Sequence, residues 1–270
     1  MEFAASDYQN SEDPLTLDEH NLFYRLQTVF SHEEMMESDR NPVIAHKDLY
    51  YESVGLFIAR GSRLCLAVKG GDNDDSHNHN DVGSFTIYKD GKPLFIDAGV
   101  ETYTKKTFSP DRYDIWTMQS RYHNLPSFTD HGRETVQQDG GRYRAEEVRY
   151  ELGEDVCRIS MDIAKAYPDD RIHSYTRSAV LDKEKSITIR DHYEGDGGTA
   201  VLSLMFCEKP SIHQNTIGIG DLGICTVEGA SSITSEEIPV TDERLKTAWK
   251  HSLYRCLVTM EARDLTLTIA

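Results

Sequence analysis

Ser76-His77-Asn78-His79-Asn80-Asp81-Val82-Gly83-Ser84-Phe85 is the run on which this sequence turns. Two histidines at a two-residue spacing precede a strand expected over 84–89. A tight turn at Asp90-Gly91 then leads into a second strand over 93–97, so the pair reads as a β-hairpin. His123 follows Asp97 by 26 residues. A His-x-His pair with a distant carboxylate and a third histidine is one way to assemble a first-row metal site.

On either side of this hairpin, from Tyr50 onward, the chain reads as short β runs broken by turn residues. Strands are expected near 54–59, 63–69, 142–150, 156–162, 172–181, 185–192, 199–206, 222–227, 252–259 and 265–269. Asp139-Gly140-Gly141 and Asp182-Lys183-Glu184-Lys185 supply tight connections. Alternation is clear in Ser186-Ile187-Thr188-Ile189-Arg190 and Leu265-Thr266-Leu267-Thr268-Ile269. About a dozen short strands at this spacing predict an all-β fold, a large antiparallel β-sandwich. The segment 99–138 reads as one long loop carrying Trp116, several aromatics and His123, a length that points to function.

Ahead of the sandwich, residues 1–13 are polar and acidic and are expected to be disordered. A short N-terminal helix is expected over 16–30, with Thr16 as N-cap and Glu19 completing a capping box. Leu22, Leu26, Val29 and Phe30 fall on one helical face. Asn41-Pro42 ends any helix. The expected organisation is a tail, helix and linker over 1–45 and a β-domain over 46–270.

A net charge of −17 and a pI near 5.0 argue against a nucleic-acid partner and against attraction to an anionic membrane surface. No apolar run reaches the roughly 20 residues of a membrane-spanning helix. The five cysteines are spread out and lack a Cys-x-x-Cys pair, so buried free thiols in a reducing compartment are expected. Residues 1–14 have no basic and apolar signal pattern, and the expected location is cytoplasmic.

Chemistry alone leaves the histidines' roles open. On a strand entry His77 and His79 would share a face. A metal could take both, or bind one and leave the other for acid–base work. Asp97 is brought near 79–83 by the hairpin, and His123 returns from the long loop. Two imidazoles, a carboxylate and a water position suit Zn2+. His77-x-His79-x-Asp81 also occurs in metallo-hydrolases, but no histidine follows Asp81 and their αβ-layer pattern is missing. Asp72-Asn73-Asp74-Asp75 reads as a solvated acidic loop, and Gly70-Gly71 as a sharp turn.

The run Ser76 to Phe85, then Gly91-Lys92-Pro93-Leu94-Phe95-Ile96-Asp97-Ala98-Gly99, Tyr103 and His123-Asn124-Leu125-Pro126, resembles the heparinase II/III-like polysaccharide lyases and related alginate lyases. Order, spacing and residue types agree, over about residues 45–270. The resemblance implies the C-terminal β-domain of that family and β-elimination at a uronic acid of an acidic polysaccharide. It implies that His79, Asp97 and His123 bind a mainly structural Zn2+, and that His77 faces substrate as base or as partner of the carboxylate. Tyr113 is a second catalytic candidate. Asn78, Tyr103 and Arg121 are candidates for binding substrate, while Arg112 and Arg133 read as solvated.

In the family an α/α toroid precedes this domain and supplies further catalytic groups. Here only the 16–30 helix could be its remnant, so the resemblance implies one wall of a cleft. The other wall is expected from a separate toroid or from a longer protein. A non-catalytic carbohydrate-binding or assembly module that retains the zinc scaffold is the alternative.

Overall fold

The computed structural model describes residues 21–37 and 46–270. Alternating burial sets the sheets. Leu64–Lys69 buries every second side chain, as do Leu56–Arg60 and Asp264–Ile269. These apolar positions converge on one core that includes Phe57, Leu66, Phe85, Phe95, Phe128, Tyr175, Leu204 and Leu267.

The strands form three main antiparallel sheets. One runs in the order Leu49–Tyr51, Leu56–Arg60, Leu64–Lys69, Phe85–Lys89, Lys92–Phe95. An eight-stranded sheet has Ile172–Asp182 and Ser186–Gly195 near its centre and Asp264–Ile269 beside them. The third has five strands, with Leu253–Met260 and Thr199–Phe206 inside and Ala230–Ile238 and Arg133–Thr135 at the edges. Together they make the all-β sandwich expected from the sequence. All five cysteines are free, and Cys157, Cys225 and Cys256 are buried.

The hairpin at Asp90-Gly91 pairs Lys89 with Lys92 across two residues of positive φ, +51° and +75°. That is the backbone of a type I′ turn, for which Asp-Gly is suited. Its second strand is shorter than expected, ending at Phe95, because Ile96 leaves the pairing and donates its N–H to the Met205 carbonyl of the neighbouring sheet (3.0 Å).

Several strands escape a reading based on alternation. Ala230–Ile238 is half-buried or exposed at every position, as an edge strand with one covered side can be. Segment 99–138 is not one loop. It folds into four 3-10 turns, Lys106–Phe108, Pro110–Asp114, Trp116–Met118 and Ser120–Tyr122, followed by the hairpin Pro126–Asp130 and Arg133–Thr135. The acidic loop is likewise not simply solvated. Asp72–Asn73 pairs with Gly140–Arg144, Asn73 is buried, and Asp75 bonds Lys69 at 2.7 Å.

The chain divides into two compact units, Met1–His46 and Lys47–Ala270. Thr16 and Glu19, the expected capping box, lie outside the described residues. The described helix is Leu22–Phe30, capped by the Asn21 side chain, which accepts from Phe23 N at 2.9 Å. Leu22, Leu26, Val29 and Phe30 are exposed.

Candidate metal centre and adjoining cleft

The site begins where the chain leaves strand Leu64–Lys69 and re-enters at Phe85. The excursion is pinched at its base by Lys69 N to Ser84 O (2.8 Å) and Gly83 N to Lys69 O (2.7 Å). Gly83 has φ +89°, and a Cβ there would come within 2.9 Å of two Ile163 side-chain carbons. Gly83→Ala is therefore expected to cost about 1–3 kcal/mol, through backbone strain and a forced shift of Ile163. An unchanged denaturant midpoint would contradict the close approach.

Within this excursion the two histidines separate. They are not on a strand entry as expected. His77 has a left-handed backbone, φ +61°, which a residue without glycine's freedom adopts at some energetic cost. Its exposed ring stacks on Tyr103 at 5.7 Å, and the Tyr103 hydroxyl is 3.2 Å from His77 Nδ1. His79 instead turns toward His123, with ring centroids 5.4 Å apart.

His79, Asp97 and His123 each place a ligand atom within 4.8 Å of the others. Asp97 follows the hairpin; its Oδ1 accepts from Gly99 N (2.7 Å) and its Oδ2 lies 2.9 Å from His123 Nδ1. His123 closes the last 3-10 turn through its own N–H to Ser120 O, and is fully buried. Its Nε2 has no hydrogen-bond partner.

The electrostatics suit a cation. Burial and the nearby charge of His123 push the His79 pKa down to about 4, so the ring is neutral at pH 7. Burial would raise Asp97, but the charge and hydrogen bond of His123 outweigh it and hold the carboxyl well below its usual range. Conversely, burial opposes the His123 imidazolium while Asp97 favours it more strongly, and its pKa is raised. One neutral imidazole, one carboxylate and a buried histidine with an orphaned nitrogen form a donor set that fits a first-row metal such as zinc. Asp81 borders the same space. Burial lifts its pKa to about 6 against the pull of His123 and Lys69, and its Oδ1 is unpartnered.

Beside the cluster lies a depression of about 290 Å3 lined by Lys69, Asp75, His77, Asn78, His79 and Asp97, among others. Asn78 Nδ2 donates to the Tyr113 hydroxyl at 3.0 Å, so Tyr113 reaches this edge of the site. Arg112 is not solvated: its Nε and Nη2 donate to the Asn78 carbonyl and its Nη1 to the Thr107 carbonyl. Arg121 lies in a separate depression with Asn80, Tyr113 and Gln138, and pairs with Glu134 at 3.1 Å. Its charge is partly satisfied there.

Arg244 was not singled out in the sequence. Its guanidinium lies 5.0 Å over the Tyr103 ring. The contact is built by Asp242, whose Oδ1 accepts from Thr102 N, Arg244 N and Leu245 N, tying the helix Glu243–Ala248 to the residue before Tyr103. Asp242 and Tyr103 lie far apart along the chain, so no local sequence signal links them.

The class is thus an antiparallel β-sandwich with a His/Asp/His cluster near a pair made of exposed His77 and half-buried Tyr103. The model of the heparinase II/III-like C-terminal domain matches residues 45–238, and the chain belongs to that family. Similar solved structures include a heparinase III gene product, with TM-score 0.65 and 14% identity over 92% of this chain and 40% of that one. Heparan sulfate lyase HepC from Pedobacter heparinus aligns with TM-score 0.63 and 15% identity over 92% and 40%. Another heparinase III aligns with TM-score 0.60 and 16% identity over 96% and 43%. At such identities the likeness shows the fold, and this chain spans about two-fifths of those proteins' length. No curated protein sequence matches.

Proposed function

We propose that this chain is the β-domain of a polysaccharide lyase that cleaves a uronic-acid-containing polysaccharide by β-elimination, with Zn2+ held by His79, Asp97 and His123. The observation that carries this reading is the Tyr103–His77 contact, with His77 lining the same depression as His79 and Asp97. It puts two groups able to exchange a proton where a sugar chain can reach them.

In the reaction a base removes the C5 proton of the uronate, the C4–O bond breaks, a C4–C5 double bond forms, and the leaving oxygen takes up a proton. His77 is assigned to the C5 side, as base or as partner of the carboxylate. Tyr103 and Tyr113 are the hydroxyls placed to pass the proton, and Asn78 orients Tyr113. The C5 proton becomes acidic only when the adjacent carboxylate is neutralised. Arg244 is better placed for that than Arg121, since Arg121 already faces Glu134. Zn2+ would cross-link the excursion, the hairpin end and the 3-10 turn, and so fix the site's shape. The opposite wall of the cleft is assigned to an α/α toroid beyond these residues.

The test is absorbance of the new double bond on heparan sulfate, alginate and other glycuronans. Product that disappears in His77→Ala supports the lyase. Binding without product on every substrate, including with a toroid supplied in trans, favours a carbohydrate-binding module. Arg244→Ala is expected to lower kcat/KM by roughly tenfold or more, the worth of a charge-assisted hydrogen bond, with zinc content unchanged. Undiminished kcat/KM would remove Arg244 from the site.

A further inference from the structure

Arg177 is among the largest fully buried side chains of the described residues and touches none of the groups assigned to chemistry. Its Nε and Nη2 fork onto Asp191 at 2.8 and 2.6 Å, and Asp191 also accepts from the Tyr175 hydroxyl at 2.8 Å. Its remaining nitrogen, Nη1, donates to two carbonyls from distant parts of the chain, Gly83 O and Asn124 O, both at 2.7 Å. Gly83 closes the excursion that carries His79, and Asn124 directly follows His123.

Asn124 completes the knot. Its Nδ2 donates to Phe85 O (2.6 Å) and to Ile96 O (3.0 Å), the residue before Asp97, while its Oδ1 accepts from Met205 N (2.7 Å). Its own N–H reaches Ser84 Oγ at 3.2 Å. Each of the three segments bearing a ligand is therefore tied to one buried pair of side chains.

We infer that Arg177, backed by Asp191 and acting with Asn124, is a positioning residue that pre-organises the metal site through these backbone carbonyls. The inference rests on the proposed zinc reading. A buried ion pair by itself argues little for stability, because well-packed apolar residues often replace one at no loss. What apolar residues cannot do is hold two carbonyls of different segments from one nitrogen of a rigid guanidinium whose fork is fixed on a carboxylate. Removal should therefore loosen the ligand geometry even where the core stays packed. Groups that orient metal ligands from outside the coordination sphere typically contribute about 10–100-fold in metal affinity.

The test uses the full chain, stripped of metal and titrated with Zn2+ against a chromophoric chelator, with Co2+ absorption as a second report on ligand geometry. Arg177→Met/Asp191→Leu/Tyr175→Phe removes the whole buried polar set without stranding a charge. The triple variant is expected to fold and to bind Zn2+ about tenfold or more weakly, with an altered Co2+ spectrum. If it does not fold, Arg177→Lys is read instead: it keeps the charge opposite Asp191 but lacks the fork, and the same weakening is expected. Leu267→Ala, a core truncation outside the knot, should lower the melting temperature while keeping zinc affinity. Wild-type affinity in the folded triple or lysine variant overturns the inference. So does an equal loss in Leu267→Ala, which would mark the effect as general destabilisation. Wild-type protein that takes up no zinc overturns the metal reading itself, and this inference falls with it.

Discussion

On the proposed zinc reading, Asp97→Ala is expected to lose the zinc that wild-type protein should carry, and with it much of the protein's thermal stability. Metal bound to the folded state alone adds about 4 kcal/mol when free metal stands a thousandfold above Kd. For a domain of this size that is roughly 8–16 °C of melting temperature. The substitution also strips His123 of the carboxylate that does most to raise its pKa, leaving a fully buried imidazole with only Asp81 as a neighbouring carboxylate. A chelator should move the wild-type melting curve toward that of Asp97→Ala and leave the variant where it is. Metal analysis that finds stoichiometric zinc in Asp97→Ala would remove Asp97 from the ligand set. The sign of the pH dependence follows from the same pair. The proton that Asp97 favours on His123 competes with metal, so zinc affinity should weaken as pH falls.

Arg177→Met, made alone, is expected to be the most damaging single substitution in the core. It leaves the Asp191 carboxylate buried beside Tyr175 with its cation gone, and it strands the Gly83 and Asn124 carbonyls. Breaking a buried pair from one side costs about 3–5 kcal/mol, a large share of the roughly 5–15 kcal/mol that holds a domain folded. Adding Asp191→Leu and Tyr175→Phe removes the stranded charge and should recover much of that loss, leaving the two carbonyls as the residual cost. Urea midpoints of the single and triple variants measure this directly. A triple variant no more stable than the single one would show that the carbonyls, and not the uncompensated carboxylate, dominate.

The readable parts of the sequence are those where local preference and burial agree. Asp90-Gly91 specifies a type I′ turn wherever it occurs between strands, because both residues tolerate positive φ. Ser186–Gly195 and Asp264–Ile269 advertise themselves by alternation, since one face of each meets the core. Ala230–Ile238 gives no such signal, because an edge strand with little burial has no apolar face to display. The hairpin Pro126–Asp130 and Arg133–Thr135 was hidden for another reason. Its first strand is secured by pairing with Thr199–Phe206, a partner that no local window contains.

The site divides in the same way. The sequence by itself determined the residue types, the hairpin that ends near Asp97 and the all-β class, since turn chemistry and hydrophobic period are local properties. Residue types and spacing could name His77, His79, Asp97 and His123 but left their roles open, and only the resemblance divided them. The family resemblance implied that His77 and His79 part ways, and the tertiary structure supplied how: His77 turns to Tyr103 and His79 to His123, because the left-handed backbone at His77 breaks the strand-like alternation. The tertiary structure alone brought Arg244 over Tyr103 and set Arg177 beneath the three ligand-bearing segments. Those contacts join residues far apart in the chain, and only packing of the sheets around a shared core can bring such residues together.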